Sequence, residues 1–506
     1  MLSKIQSASL IGIDAIEITV EVNCALGLPT EHIVGLPDAV IRESKNRIKT
    51  AIKNAGFDYP TRNYTINLAP AEIPKEGATF DLPIAIGILL STGQLTQIPD
   101  AIYVGELSLD GSVRPVKGII NISELVSKQG HHTVVVPYEN RMEASLIEKV
   151  TVFPIQSLHD LNKLNNKTSK QTFTFKHPNP PSSFLDYRDV KGQEIGKRAV
   201  EIAAAGKHNI LFLGPPGSGK SMLLKRLPSI MPLLSEEEAL STYKIQSVAN
   251  TLHKKNIFSR QTPFRSPHHS ISYAGMVGGG SKPIPGEVSL AHNGILFLDE
   301  LPEFNRQVLE VLRQPIENKS ITISRASLSL TFPADFMLVA AMNPCPCGYY
   351  GDLKKQCICS PSKIERYQQK LSGPILDRFD LIVEIPRLQK KDFLDSKTEQ
   401  PCSNDIKNNV IKARKRQYER YKRSIQNGSM TVTEMNKFMP IERESSYFLA
   451  NLVDKGHLTA RSHDNIVKIA QTICDLSNEN RISHNHILES LQYRNFSTQK
   501  VAKGLH

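Results

Sequence analysis

The sequence predicts an α/β protein whose centre is a parallel sheet, preceded by a smaller mixed α/β region and followed by helices. Three observations point there. Residues 210–213, 295–298 and 337–341 are short, uninterrupted apolar runs, the pattern of strands buried on both faces of a parallel sheet. A glycine-rich stretch follows the first run and leads straight into a helical one. Upstream, strand-like and helical runs alternate, whereas beyond residue 408 only helical patterns remain.

The length of 506 residues suits about three domains at roughly 150 residues each. In residues 1–165, the runs 16–22, 64–68, 102–107 and 133–136 read as strands and 39–55 and 82–90 as helices. Asp110-Gly111, between apolar runs, predicts a hairpin turn. Residues 166–186 carry the polar, proline-bearing strings NNKTSKQ (from residue 165) and HPNPPSS and read as a linker. The parallel-sheet core is expected over 187–390 and a helical domain over 391–506, with helical runs at 447–453, 466–476 and 487–493. The polar stretch 389–408 separates the two. There is no solenoid-like repeat and no low-complexity block.

Hydrophobic residues make up 40% and charged residues 22%, the balance of an ordinary globular chain. The longest apolar stretch, 82–90, includes Pro83 and Gly87. It falls far short of the ~20 residues a membrane span needs, so no membrane partner is expected. The first twenty residues contain Asp14 and Glu17 and lack a basic-then-apolar layout, so no secretory signal is expected. The net charge of +12 is uneven: residues 1–165 hold 14 Lys/Arg against 18 Asp/Glu, and the remainder 48 against 32. A positive field confined to one part of the chain suggests a polyanionic partner, most simply nucleic acid. Four of the seven cysteines cluster, which favours a metal in a reducing cytoplasm over a disulfide framework.

The glycine-rich stretch is Gly214-Pro215-Pro216-Gly217-Ser218-Gly219-Lys220-Ser221, set between a strand and a helix. Its glycines let backbone N–H groups wrap phosphates, Lys220 reaches the β- and γ-phosphates of ATP, and Ser221 ligates Mg²⁺. The strand 295–298 ends in Asp299 and Glu300, which delivers two carboxylates to the edge where the phosphates sit. Asp299 is expected to hold Mg²⁺ and Glu300 to polarise the attacking water. Asn343, at the end of the third strand, is placed to orient that water. Together these residues specify an ATPase. Arg378, between a helical stretch and a strand, is a candidate arginine finger, a role worth roughly 10³–10⁵ in rate. Arg461, in the helical region, is a candidate for touching the γ-phosphate.

The order of phosphate loop, Asp-Glu strand, sensor Asn, finger Arg and lid Arg resembles an AAA+ ATPase. The spans 265–269 (RSPHH), 278–280, 285–287, 291–304 (AHNGILFLDELPEF) and 342–348 (MNPCPCG) resemble the magnesium-chelatase-like ATPases of the ComM/YifB type. The resemblance covers essentially the whole chain. It implies a homo-oligomeric ring, taken as a hexamer, with Arg378 acting on the neighbouring subunit. It also implies a DNA helicase promoting branch migration, on single-stranded or branched DNA, in homologous recombination during natural transformation. Val190, Gly192 and Met222 complete the implied nucleotide-binding set. The rival reading is a chelatase-type ATPase that remodels a protein partner.

Two inserts qualify as DNA contacts or as shapers of subunit interfaces: the Gly/Ser-rich 270–287, with Lys282, and a hairpin over 318–332 whose tip offers Lys319 or Arg325. The basic run 412–423 (KARKRQYERYKR) reads either as a nucleic-acid surface or as a solvated helix face. Cys345, Cys347, Cys357 and Cys359 form C-x-C-x₉-C-x-C, which suits either a tetrahedral structural Zn²⁺ or free thiols. Residues 68–77 and 104–111 resemble the proteolytic domain of Lon proteases. The positions of that family's Ser–Lys dyad hold Thr79 and Ile120, with Lys117 three residues off. Ile120 cannot act as a base, so a Lon-like fold without protease activity is expected.

Overall fold

The computed structural model describes residues 1–95, 100–163, 185–252, 257, 259–280, 283–325, 328–352, 354–388 and 400–494. It divides into two compact units, Met1–Asn179 with Glu236–Arg260, and Pro180–Ser235 with Gln261–His506.

The first unit is built on strands β1 (Leu2–Ile11), β2 (Asp14–Ala25), β3 (Glu31–Val34), β4 (Asn63–Ala69), β5 (Ile102–Tyr103), β8 (Thr133–Pro137) and β9 (Thr151–Ile155), in the order β3-β4-β2-β1-β5-β8-β9. A side hairpin pairs β6 (Glu106–Leu107) with β7 (Val113–Arg114) across the turn that Asp110-Gly111 predicts. The helices Ala39–Asn54 and Asp81–Ser91 share one apolar core with Ile5, Val20 and Val22. The helix Ile119–Gln129 shares another with Ala8, Val134 and Val136.

Strand β1 was hidden in the sequence by its serines. In the structure they are buried and satisfied: Ser3 Oγ donates to the Gly87 carbonyl at 2.8 Å and Ser7 Oγ to that of Tyr103 at 2.9 Å. The expected strand 102–107 is broken at Gly105, whose N–H turns to the Thr79 carbonyl while its own carbonyl accepts from Leu82 N. A Cβ there would lie 2.7 Å from Val113 Cγ1, so the close approach requires glycine. The helix Glu236–Val248 belongs to this unit rather than to the core expected over 187–390. Lys244 Nζ pairs with Glu124 at 2.7 Å, and Ser247 Oγ donates to Glu143.

The second unit contains β10 (Ile210–Leu213), β11 (Phe264–Arg265), β14 (Ile295–Leu298), β17 (Met337–Met342) and β18 (Leu381–Glu384), all parallel in the order β11-β14-β17-β10-β18. Two small hairpins stand apart, β12 (Gly278–Gly279) with β13 (Ile284–Pro285) and β15 (Ser320–Arg325) with β16 (Leu328–Pro333). The helix Glu194–Gly206 packs between the sheet and the C-terminal helices Ser403–Tyr421 and Ala460–Leu476, through Ile406, Val410, Ile469 and Ile473. A further core of Met430, Met435, Leu449, Ile466 and Ile487 holds the remaining helices.

The polar stretch ends earlier than its composition suggests. A capping box between Cys402 and Asp405 starts a helix at Ser403. Among the described residues no helix is long and apolar enough to cross a membrane.

Candidate active site

Because the five strands are parallel, their carboxyl ends share one edge, and the loops leaving that edge build the site. Leu213 is in register with Met342 on one side and Glu384 on the other, so Gly214 and Asn343 leave the sheet side by side. The Gly214 N–H donates to the Met342 carbonyl, and a Cβ on Gly214 would lie 2.2 Å from the Ile385 carbonyl oxygen. Gly217 and Gly219 take φ of 75° and 91°, the left-handed region that lets the loop curl back before the helix Lys220–Lys225. The buried Lys220 Nζ lies inside the curl, donating to the carbonyls of Gly214 at 2.7 Å and Pro215 at 2.9 Å and to Asn343 Oδ1 at 3.1 Å. Burial holds its pKa down to about 8, against the opposing pull of Asp299. The Ser218 hydroxyl is buried without a hydrogen-bond partner. A lysine ammonium and a spare hydroxyl in a loop of left-handed glycines form a donor set that fits a polyphosphate.

Asp299 follows β14, and its Oδ1 accepts from the Glu300 N–H at 3.1 Å. Glu300 itself is left-handed, with φ 52° and ψ 48°, and its carboxylate is largely exposed. His269 Nδ1 lies 3.7 Å from Glu300 Oε2, and the His269 ring is braced by His268 at 4.0 Å and by Phe304 edge-on. Asn343, expected to orient the attacking water, stands beside Lys220.

Of the other expected nucleotide contacts, Ser221 is the second residue of the helix behind the loop and Met222 is half exposed on it. The Val190 side chain is buried in the apolar core with Tyr187 and Leu223. Gly192 and Gln193 are both left-handed at φ 58° and turn the chain into the helix Glu194–Gly206. Sequence reasoning passed over Gln193, whose Nε2 donates to the Ser218 carbonyl at 2.9 Å and to that of Pro386 at 2.8 Å. It also gave His269 no chemical role; the adjacent histidines of RSPHH were the available signal.

The two arginines lie elsewhere. Arg378 precedes β18, beside Asn209, which precedes β10 and donates to the Arg378 carbonyl. That is the amino edge of the sheet, about 13 Å of strand away from the phosphate loop. The Arg378 side chain is buried, donating to Glu317, with its Nε unpartnered. Burial lowers its pKa, and the Arg461 charge lowers it further. The Arg461 charge is thus felt at Arg378.

The hairpin expected over 318–332 forms, with hydroxyl pairs Thr322–Thr331 and Ser324–Ser329 on its exposed face. Arg325 ends β15 at the turn. Lys319 is at the base rather than the tip, with its Nζ 3.4 Å from Asp335. Lys282 lies outside the described residues. In the run 412–423, Arg414 donates to the Ala204 carbonyl, Arg416 to Asn478, Arg420 to Asp475 and Arg423 to Glu434, so its guanidinium groups make internal contacts. In the first unit Ile120 is fully buried and Lys117 exposed.

The four cysteines come together, with their sulfurs all within 4.8 Å of one another. Sγ–Sγ distances are 3.4 Å for Cys345–Cys347, 3.7 Å for Cys345–Cys357 and 3.5 Å for Cys347–Cys357. A tetrahedral zinc with Zn–S bonds of about 2.3 Å sets its sulfurs about 3.8 Å apart. The cluster fits such an ion.

Residues 186–393 match the family model for magnesium chelatase, subunit ChlI; residues 20–140 match that for subunit ChlI of Mg-chelatase; residues 400–494 match the ChlI C-terminal model. The chain is 42% identical over 498 residues to the uncharacterized protein YifB of Salmonella typhimurium, covering 97% of each. It is 41% identical over 508 residues to the competence protein ComM of Haemophilus influenzae, again covering 97% of each. The magnesium-chelatase 38 kDa subunit of Rhodobacter capsulatus is 25% identical over 249 residues, 45% of this chain and 68% of that protein.

Proposed function

The chain belongs to the magnesium-chelatase-like proteins of the ComM/YifB type, and on that premise we propose that it is an ATP-driven motor acting on DNA. The observation that carries the ATPase reading is the meeting of Lys220, Asn343 and the charge of Asp299 at the carboxyl edge of the parallel sheet. In this reading Lys220 and the loop amides bind the phosphates, Ser221 and Asp299 hold Mg²⁺, and Glu300 takes the proton of the attacking water. Mg²⁺ supplies charge neutralisation at the transferred phosphoryl group. Arg378 serves the site of the next subunit, which its place on the opposite edge supports. The motor is a homo-oligomeric ring, taken as hexameric. Zn²⁺ is held by Cys345, Cys347, Cys357 and Cys359, and the Lon-like N-terminal domain is inactive as a protease.

The DNA reading draws on the excess of basic residues after residue 165 and on the similarity to a competence protein. It assigns the motor to helicase and branch-migration work during natural transformation. The test is steady-state ATP hydrolysis with and without single-stranded, duplex and branched DNA at two salt concentrations. Stimulation that weakens with salt is expected, because phosphate neutralisation releases counterions. Normal basal turnover with no response to any DNA would select the second reading, ATP-driven remodelling of a protein partner. That reading is favoured by the similarity to a magnesium-chelatase subunit.

A further inference from the structure

The cysteine cluster is not a remote appendage. It hangs from the end of β17, and three points within six residues tie it to the nucleotide loop. Asn343, the first residue after the strand, accepts from Lys220 Nζ. Cys345, two residues on, is fully buried and is a member of the cluster. Gly348 then reaches the phosphate loop itself: a Cβ there would lie 2.5 Å from Pro216 Cδ and 3.7 Å from Asn343 Cγ. Its φ of 84° admits that approach, and its N–H closes a turn on the Cys345 carbonyl at 2.9 Å. Pro216 is ringed and stiff, so the wall it meets fixes the shape of the loop around Lys220.

The rest of the cysteine loop is anchored around the same site. Gln368 Nε2 donates to the Pro344 carbonyl at 3.2 Å. Asp352 caps the far turn, accepting from the Lys354 and Lys355 N–H groups at 2.7 and 3.1 Å. It also pairs with Arg387 at 3.5 Å, next to Pro386, whose carbonyl accepts from Gln193. Gln193 in turn holds the Ser218 carbonyl. The phosphate loop is thus gripped on one side through Gln193 and on the other by the backbone of Gly348.

In the zinc reading, what joins Cys345 and Cys347 to Cys357 and Cys359 across the intervening residues is the metal. Weak thiol contacts do not replace four metal–sulfur bonds.

We propose that the four-cysteine zinc site is a brace for the phosphate loop, so that metal occupancy sets the affinity of the chain for its nucleotide. The inference rests on the zinc reading above and adds a coupling between the two sites, in the sense that each ligand favours the loop conformation the other needs.

The test begins with zinc content by elemental analysis of the full chain as purified. A fluorescent, non-hydrolysable ATP analogue is then titrated into the protein as purified, after stripping with a chelator, and after zinc is restored. A content of one zinc per chain is expected. Stripping should weaken analogue binding by about tenfold or more, within the usual range of couplings between sites, and zinc should restore it. To separate loss of the brace from unfolding of stripped protein, Gly348→Ala is measured in parallel. It retains all four thiols and should retain zinc, yet its Cβ displaces Pro216, so analogue binding should weaken with the metal in place. No zinc in the purified protein would overturn the zinc reading itself. Full zinc, with analogue affinity unchanged within about twofold both on stripping and in Gly348→Ala, would overturn the brace and leave the zinc site standing.

Discussion

Glu300 occupies a backbone conformation that a side chain rarely adopts, at a cost of order 1–3 kcal/mol. The strand before it is regular, so the kink arises at the Asp-Glu step, where the Asp299 carboxylate accepts its own neighbour's N–H. The Glu300 carboxylate lies largely in solvent beside His269, where the proposed base would meet water. Glu300→Gln is expected to bind ATP with affinity close to the parent and to lose turnover by about 10²–10⁴; parent-like turnover in that variant would remove Glu300 from the role of base. Lys220 makes a prediction about pH. Its folded pKa, near 8, is below the usual lysine value of 10.5, so between those two the unfolded chain holds the extra proton, and this group's contribution to stability rises with pH. Bound phosphates favour the charged form and raise the pKa again. Nucleotide affinity should therefore fall as pH climbs through about 8, while a flat affinity from about pH 7 to 9.5 would show that Lys220 is already fully charged without nucleotide.

At the scale of elements, burial on both faces decided what was legible. Strands β10 and β14 match their apolar runs residue for residue, because a doubly covered parallel strand has no reason to carry a polar side chain. Elements that satisfy polar groups internally were obscured. Strand β1 buries serines against carbonyls, and the helix Ser403–Tyr421 reads as a charged surface although its arginines reach backbone and acidic partners. The phosphate loop, Asp299, Glu300 and the four cysteines were found because each is a local pattern. Gln193, His269 and Glu317 were missed because their partners lie far along the chain, where no spacing rule applies. The helix network itself is testable. Asp475 is buried, accepting from Arg420, from Asn427 Nδ2 at 2.9 Å and from Gln471 Nε2 at 3.2 Å. Asp475→Ala strands the Arg420 charge and is expected to lower stability by about 3–5 kcal/mol in chemical denaturation. The hairpin offers a paired comparison: Arg325→Ala should reduce stimulation of the ATPase by DNA, whereas Lys319→Ala, whose ammonium is already paired with Asp335, should leave it near the parent value. Equal effects from the two would separate the hairpin tip from DNA contact.

For the whole molecule, the proposed ring turns on the geometry of one parallel sheet. The phosphate loop leaves the carboxyl edge and Arg378 stands at the amino edge, so no subunit brings its own Arg378 to its own nucleotide without unmaking the sheet. A head-to-tail interface, which closes into a ring when the rotation permits, carries the amino edge of one copy to the carboxyl edge of the next. In that proposed arrangement Arg461, whose charge acts on Arg378, would be carried toward the same neighbour. Arg378 is buried against Glu317, and in the proposed ring the neighbour's phosphate would have to compete with that carboxylate for it. Mixing two dead variants tests the arrangement directly. Glu300→Gln lacks the base but keeps its arginine, and Arg378→Ala keeps the base but lacks the arginine. If the site is shared, an Arg378→Ala subunit followed by a Glu300→Gln neighbour contains one complete site. Half the subunits meet each requirement in an equal mixture, so about a quarter of the parent turnover should return if subunits exchange freely and sites fire independently. Turnover that stays at the sum of the two variants alone, in rings shown by light scattering to have mixed, would return Arg378 to a purely structural role within its own chain.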